Sequence, residues 1–498
     1  MPIASESVPE TVSSSSRRSW SAFAAVVFSF PIMCAFLLVG VIFKNLVRGA
    51  AEPDIWWHMR NAQYLLQRHS FPNFDTYSVG AAGSPWMNFE WLSEVPYLLA
   101  FNAKGLQGLV GVYFVVLALI FVGVYYRACR AGADCKNATL VTLLSIFLGV
   151  VSLGPRTLLF GWLCMMGLLL ELDHFHRTGR GLWILPPLFA LWINFHGSWV
   201  FGFVVLGIVI ASGLAEGEWG LVVAHRWTPA ELKKLFITLA ISLAALFVNP
   251  FGYKLVLYPF DLLFRQTGVM QYIEEWQSVD LTTVNGKLAL VVIFGLLAAV
   301  LFSRRKWKLD EAMLAVFALW AGLSHVRFLF FLGLIIAPVL APRLHLFPPY
   351  DRDNDKPWMN VAIIAAILVS MIHFFPSENT LQQKVDETFP TAALSFMQRK
   401  NINGRVFNEL SWGGYMEWNT PQLKPFIDTR LDMFIYNGAF ADKVKTSSLQ
   451  APFEMLDKHK FDYVLLNPGD ALAYLLRHSA AWHPIYTDKV AVLFARTP

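Results

Sequence analysis

From Ala22 to Phe43 the chain passes twenty-two residues without a charge, and shorter runs of the same kind recur as far as Phe374. At helical rise a run of that length extends about 33 Å, enough to cross a hydrocarbon layer of about 30 Å. Inside lipid every backbone polar group must find its partner within the segment or its neighbours, so a chain built this way is confined to packed helices. The composition agrees: 56% of the 498 residues are hydrophobic and 15% are charged, whereas soluble chains are about one-quarter charged. Mean hydropathy is +0.47, and 41 Phe and 18 Trp point the same way.

After the first run, apolar stretches lie at Leu109–Tyr126, Ala138–Leu153, Thr157–Leu172, Trp183–Asn194, Trp199–Leu214, Leu235–Val248, Leu288–Phe302, Ala312–Leu323, Phe328–Leu340 and Val361–Phe374. The expectation is a polytopic α-helical membrane protein of about eleven transmembrane helices. Basic residues collect in cytoplasmic loops, so the net charge of +5 is read by position and not as a nucleic-acid signal. With the N-terminus inside, inner loops hold Arg127, Arg130, Lys136, Arg177, Arg180, Arg226, Lys233, Lys234, Arg304, Arg305, Lys306, Lys308, Arg343, Arg352 and Lys356. Short outer turns hold only Arg156 and Arg327.

That orientation divides the chain into three. Residues 1–19 read as a disordered cytoplasmic N-terminus, Ser-rich with Arg17-Arg18. The apolar run behind them is too long for a signal peptide, so the first helix is expected to be retained. Residues 20–375 read as the multi-span domain, with a large first outer loop at 44–108 and a second at 249–286. Residues 376–498 read as a small extracytoplasmic α/β domain. Strands are expected at Arg405–Phe407, Lys424–Ile427, Tyr463–Leu466 and Val490–Phe494, and helices at Thr391–Lys400, Pro452–His459 and Ala471–His478. Cys34, Cys129, Cys135 and Cys164 all fall in or beside predicted spans, so no disulfide framework is expected in the tail.

The first loop opens on Ala51-Glu52-Pro53-Asp54-Ile55-Trp56-Trp57-His58, runs through Asp75 and closes on Trp86-Met87-Asn88-Phe89-Glu90-Trp91. Charge at the bilayer centre costs roughly 2.5–3.5 kcal/mol per residue, so this loop belongs at the membrane–water boundary. A carboxylate there can serve as a general base, which suits taking the proton of a hydroxyl as it attacks a sugar carbon. Alternatively, Glu52, Asp54, Asp75 and Glu90 cap helices or solvate a loop. Trp56 and Trp57 can anchor at the interface or stack on a sugar face, and His58 offers a donor.

The pattern Asp54-x-Trp56-Trp57-His58, then Phe71-Pro72-x-x-Asp75-x-Tyr77-Ser78, then Pro85-Trp86-x-x-x-Glu90-Trp91-Leu92, resembles the first outer loop of bacterial membrane proteins of the GT-C glycosyltransferase superfamily. These are similar to protein mannosyltransferases, aminoarabinose transferases and oligosaccharyltransferase catalytic subunits. The resemblance extends to Trp192-x-Asn194-x-His196-Gly197 and Asn249-Pro250-Phe251-Gly252, and into the tail. It implies a GT-C-like fold in a bacterial inner membrane, a polyprenyl-phosphate sugar donor and an extracytoplasmic acceptor. It also implies a catalytic first-loop carboxylate: Asp54 first, with Glu90 or Asp75 next.

A leaving lipid phosphate needs fixed cations, and Arg grips phosphate as a fork. Arg156, His196, Arg327 and Lys254 are the candidates on the outer side; snorkelling to the interface is the alternative for Arg156 and Arg327. In the tail, Ser411-Trp412-Gly413-Gly414-Tyr415 is similar to the acceptor-binding Trp-Trp-Asp-Tyr-Gly region of oligosaccharyltransferases. Glycines replace the expected acidic residue, which favours a structural turn. Asp428, Arg430 and Asp432 read as an internal salt-bridge set in preference to a substrate-facing one. Asp351-x-Asp353-x-Asp355 and the Asp173, His174, His176 group fall on the cytoplasmic side and read as solvated connectors; no metal is assigned and a divalent cofactor is not indicated. The alternative to a glycosyltransferase is a non-enzymatic membrane protein, a lipid or glycan transporter or a binding subunit. A transporter is expected to show pseudo-symmetric halves, and the sequence has none.

Overall fold

A computed structural model describes residues 27–152, 154–265 and 272–497. The N-terminal expectation for residues 1–19 lies outside them. Each of the eleven apolar stretches overlaps a helix in its described residues. In chain order the helices before the tail are α1 (Phe30–Phe43), α2 (Asp54–Arg68), α3 (Trp91–Arg130), α4 (Cys135–Leu148), α5 (Leu158–Thr178), α6 (Leu185–Phe195), α7 (Trp199–Ser212), α8 (Pro229–Ala245), α9 (Tyr253–Arg265), α10 (Val284–Phe302), α11 (Leu309–Ser324), α12 (Leu329–Leu340) and α13 (Pro357–His373). Among the described residues, five helical segments are long and apolar enough to cross a membrane: Phe30–Ala51, Trp91–Arg130, Leu158–Thr178, Val284–Phe302 and Val326–Arg343. Helix α13 makes a sixth if counted with the helix that follows it at a bend of 63°; α4, α6 and α7 are apolar but shorter. The chain is built as a multi-pass membrane protein.

The packing follows composition. Helix α12 is apolar all round and every one of its residues is buried, the behaviour of a central helix. It lies against α3, α4 and α11. Helix ends are set by side chains: Asp134 accepts from Lys136 N at 2.9 Å to cap α4. Thr228 and Glu231 form a reciprocal box at the start of α8.

Part of the stretch at 44–108 is helical. Helix α3 begins at Trp91 and continues to Arg130, broken only at Lys104 and Gly105, where Gly105 takes φ 59°. Polar residues in its first turns are buried against partners and so do not end the helix. At the break Glu378 accepts from Leu106 N at 2.9 Å and Gln107 N at 3.1 Å, capping the second half. The connectors between helices also hold a small sheet: β1 (Gly217–Trp219) pairs antiparallel with β2 (Val222–Ala224), which pairs parallel with β3 (Trp307–Lys308).

The tail carries α14 (Glu378–Thr388), α15 (Thr391–Arg399), α16 (Gly413–Asn419), α17 (Leu431–Tyr436), α18 (Ala439–Ser447), α19 (Pro452–Lys458) and α20 (Ala471–Arg477) around a four-stranded sheet. Its order is β4 (Val406–Asn408), β5 (Tyr463–Leu466), β7 (Val492–Arg496), β6 (Trp482–Thr487), with β4/β5 parallel and the rest antiparallel. Strand β6, which carries Pro484, was not foreseen; it lies at the sheet edge, where Pro is tolerated. Lys424–Ile427 is not a strand. Asn408 Oδ1 takes the Phe426 N–H at 2.7 Å, leaving one isolated bridge between Val406 and Pro425.

The tail shares its core with the first loop. Trp57, Ala81 and Trp86 pack in one cluster with Phe407, Phe426, Ile427 and Phe434, and Val79 N and Gly80 N donate to Pro425 O and Phe426 O at 2.8 and 3.0 Å.

Candidate functional site

Helix α2 starts immediately after Pro53, which places Asp54 in its first turn beyond the end of the first span. Asp54 is half-buried, and its carboxylate has no hydrogen bond or ion pair among the described residues. One turn on, His58 is buried between two carboxylates. Its Nδ1 lies 2.9 Å from Glu94 Oε1 and its Nε2 lies 3.6 Å from Glu90 Oε2. Against the cost of burial, Glu94 and then Glu90 raise the His58 pKa above its ordinary value, which favours the cation. Glu94 is locked in turn by Asn88 Nδ2 at 2.7 Å and Asn61 Nδ2 at 3.3 Å.

Glu90 accepts from Thr157 Oγ1 at 2.7 Å and faces His196 Nε2 at 3.1 Å. The backbone N–H of Ser198 donates to His196 Nδ1 at 2.9 Å, so the neutral ring carries its proton on Nε2 and donates it to Glu90. Burial, with Arg327 and His58 nearby, lowers the His196 pKa to about 3. Burial pushes Glu90 up to about 7, opposed by cationic His58. A carboxyl that titrates near neutrality suits proton transfer.

The cations come from two other turns. The Gly154-Pro155-Arg156 break lets Arg156 Nε reach Glu52 Oε2 at 3.0 Å while Nη1 pairs with Glu275. Gly154 is needed there because a Cβ would stand 2.6 Å from Glu52 Oε2. Against burial, Glu52 and Glu275 raise the Arg156 pKa above its ordinary value, so it stays charged. Arg327 lies on the Trp276 ring, with its guanidinium carbon 4.4 Å from the centroid. Its Nε is buried without a hydrogen-bond partner, and no carboxylate pairs with it among the described residues. It nonetheless feels the fields of Glu275, Arg156, Glu90 and Asp54.

The structure thus brings Asp54, His58, Glu90, Arg156, His196 and Arg327 to one region at the ends of α1, α3, α5, α6 and α11. It separates the others. Asp75 is 2% exposed; it accepts from Ser78 N, Ser78 Oγ and Tyr77 N and pairs with Arg430 at 3.1 Å. Trp56 packs edge-on against Tyr415 and Phe389, and Trp57 Nε1 donates to Thr429 Oγ1 at 3.0 Å. Both tryptophans dock the tail and leave no face for a sugar. Lys254 is exposed and outside the cluster.

Gly413 and Gly414 open helix α16 in place of the expected turn. A Cβ on Gly414 would stand 3.0 Å from Trp57 Cδ1, and one on Gly413 would stand 2.7 Å from Asp428 Cα. Asp428 and Arg430 form an internal ion pair, joined by Glu417. Asp432 instead accepts from Tyr258 at 3.0 Å, and burial lifts its pKa to about 6.

Sequence reasoning missed Glu94, Thr157, Glu275 and Glu417. Glu94 could have been found: it follows Glu90 by four residues, the spacing of one helical face. Glu275 stands beside Trp276 in the second outer loop, and nothing in its spacing ties it to Arg156. Among the described residues no three His, Cys, Asp or Glu side chains gather as a metal-holding group.

No protein-family model matches the chain, and no curated protein matches it. Among solved structures, the single-particle cryo-EM structure of the arabinofuranosyltransferase AftD from Mycobacteria is similar over 97% of this chain and 40% of that one, with a TM-score of 0.46 and 11% identity. This chain therefore spans about two-fifths of the length of that one, and a likeness of this size decides neither substrate nor reaction.

Proposed function

We propose that the protein is an integral-membrane glycosyltransferase that moves a sugar from a polyprenyl-phosphate donor to an extracytoplasmic acceptor, with Asp54 as general base. The observation that carries the reading is Arg327: a half-buried guanidinium whose Nε is buried without a hydrogen-bond partner and which, among the described residues, has no carboxylate partner, near an equally unpartnered Asp54. A charge drawn partly out of water without a partner is costly, and an anion such as the donor phosphate would complete it. In this reading Arg327 holds the phosphate and Arg156, tied to Glu52 and Glu275, adds fixed positive potential. Asp54 takes the acceptor hydroxyl proton as its oxygen bonds to the anomeric carbon. The bond from that carbon to the phosphate oxygen breaks, and the lipid phosphate leaves with the electron pair. Glu90, His58 and His196 orient the sugar or the acceptor beside that path. The proposed setting is a bacterial inner membrane, N-terminus cytoplasmic and tail outside.

Asp54→Asn keeps the shape and removes the basicity, so turnover of a lipid-linked sugar should fall by about 10²–10⁴ with the melting temperature unchanged. Retention of more than half the activity in a folded variant would remove Asp54 from the mechanism. A reporter fused after Pro498 should be active only outside the cytoplasm; cytoplasmic activity would overturn the orientation.

A further inference from the structure

A cavity of about 250 Å³ opens between the first loop and the tail. Arg60, Tyr64 and Gln67 line one wall and Pro421, Leu423, Lys424 and Pro425 the other. At about 100° per residue, Arg60, Tyr64 and Gln67 lie more than 100° around α2 from His58. The cavity is therefore on the face of α2 turned away from the carboxylate cluster. A ligand seated in it is not the sugar that reacts at Asp54.

The lining has a defined chemistry. At the floor is Tyr77, 9% exposed, whose hydroxyl has no hydrogen-bond partner. Glu417 also lines it; its Oε1 is committed to Arg430 at 2.9 Å, while its Oε2 is buried without a hydrogen-bond partner. Tyr64, Leu423 and the two prolines give an apolar wall of the kind that covers a sugar ring face. At the mouth stand Arg60, Arg68 and Lys424. Arg60 reaches only Gln63, at 2.6 Å, and Arg68 and Lys424 have no ion pair among the described residues. Three cations face a space lined by one acidic side chain, Glu417, whose pKa burial raises well above the ordinary value.

We infer that this crevice binds a monosaccharide unit carrying a negative charge, either a carboxylate or a phosphate. The Tyr77 hydroxyl and Gln67 bond its hydroxyls, and Arg68 and Lys424 meet its charge. The inference does not depend on the catalytic reading of Asp54. Because α2 carries both faces, occupancy would also clamp the tail onto the helix that bears Asp54.

The test is calorimetric titration of the full-length protein in nanodiscs with glucuronate, glucose 6-phosphate, glucose and inorganic phosphate. Either anionic sugar should bind at least about tenfold tighter than glucose, the scale of a charged hydrogen bond. The stronger of the two identifies the charge. Lys424→Glu and Arg68→Glu, both at exposed positions, should each lose about tenfold or more, and Tyr77→Phe about two- to tenfold. Asp54→Asn should bind as the parent does. Equal binding of glucose, or unchanged binding in Lys424→Glu, overturns the inference. Inorganic phosphate competing as well as glucose 6-phosphate, with no effect of Tyr77→Phe, reduces the site to a bare anion patch. Loss of binding in Asp54→Asn would move the sugar to the carboxylate cluster and overturn the second site.

Discussion

Replacing Arg430 with Met keeps most of the side-chain length and removes the charge that joins the tail to the first loop. Its Nη2 is shared by Asp75 Oδ1 at 3.1 Å, Glu417 Oε1 at 2.9 Å and Asp428 Oδ2 at 2.6 Å, and none of these four side chains is more than 1% exposed. Burial holds the Glu417 carboxyl well above its usual range, so it is protonated. Burial also pushes Asp428 upward, but Arg430 outweighs it and holds the group below its ordinary value. Removing one partner of a buried pair costs about 3–5 kcal/mol. At 1.4 kcal/mol per decade, the folded-to-unfolded ratio falls between about a hundred- and a few-thousand-fold. The depressed Asp428 pKa means that the parent protein holds this stabilisation above the ordinary carboxylate pKa and loses it as pH falls through the folded value. In the variant Asp428 is buried without its cation, so its pKa rises and acid relieves the penalty. The gap in melting temperature, followed by tryptophan fluorescence in nanodiscs, should be wide at pH 8 and narrow toward pH 5. Protease should cut the tail of the variant at pH 8. A variant that melts like the parent at pH 8, or a gap that is constant with pH, would refute the account of this cluster.

Two further outcomes follow from the site and its support. Glu90 has its pKa raised from 4.5 to about 7, so between those values the folded protein holds a proton that the unfolded chain has lost. Its contribution to stability is complete below about pH 4.5 and declines as pH rises through about 7; Glu90→Gln should flatten that slope in a melting series. Gly413→Ala would press a methyl onto the Ile427 carbonyl and to within 2.7 Å of Asp428 Cα. Both are backbone, so a loss of about 1–3 kcal/mol is expected, read as a lowered melting temperature with the tail released to protease.

The spans were legible because a lipid solvent leaves a long record: a helix such as Val284–Phe302 declares itself by nineteen residues without an acid. The candidate site was legible in kind, since carboxylates and arginines stand at the ends of apolar runs where charge is otherwise avoided. Pairing was not legible. Asp75 and Asp54 look alike in sequence, but Arg430, far along the chain, claims the first and leaves the second free. Trp56 and Trp57 looked like sugar platforms because nothing local shows that Tyr415 and Thr429 arrive against them. Glu275 could be joined to Arg156 only by folding the second outer loop back over the first.

The Trp57–Thr429 contact spans 372 positions, which bears on how the protein comes into being. Synthesis delivers the first outer segment early and the tail last, at roughly 5–20 residues per second. Helix α2 and the Asp75 turn must therefore wait, for tens of seconds on that scale, with Trp57, Trp86 and their apolar faces uncovered. Only after residues 406–434 have been made can that surface close. The earliest-made part of the site is thus among the last to become ordered. A nascent chain halted before residue 430 would hold its helices in the membrane and leave Trp57 and Trp86 uncovered, a protease-sensitive surface that invites chaperones.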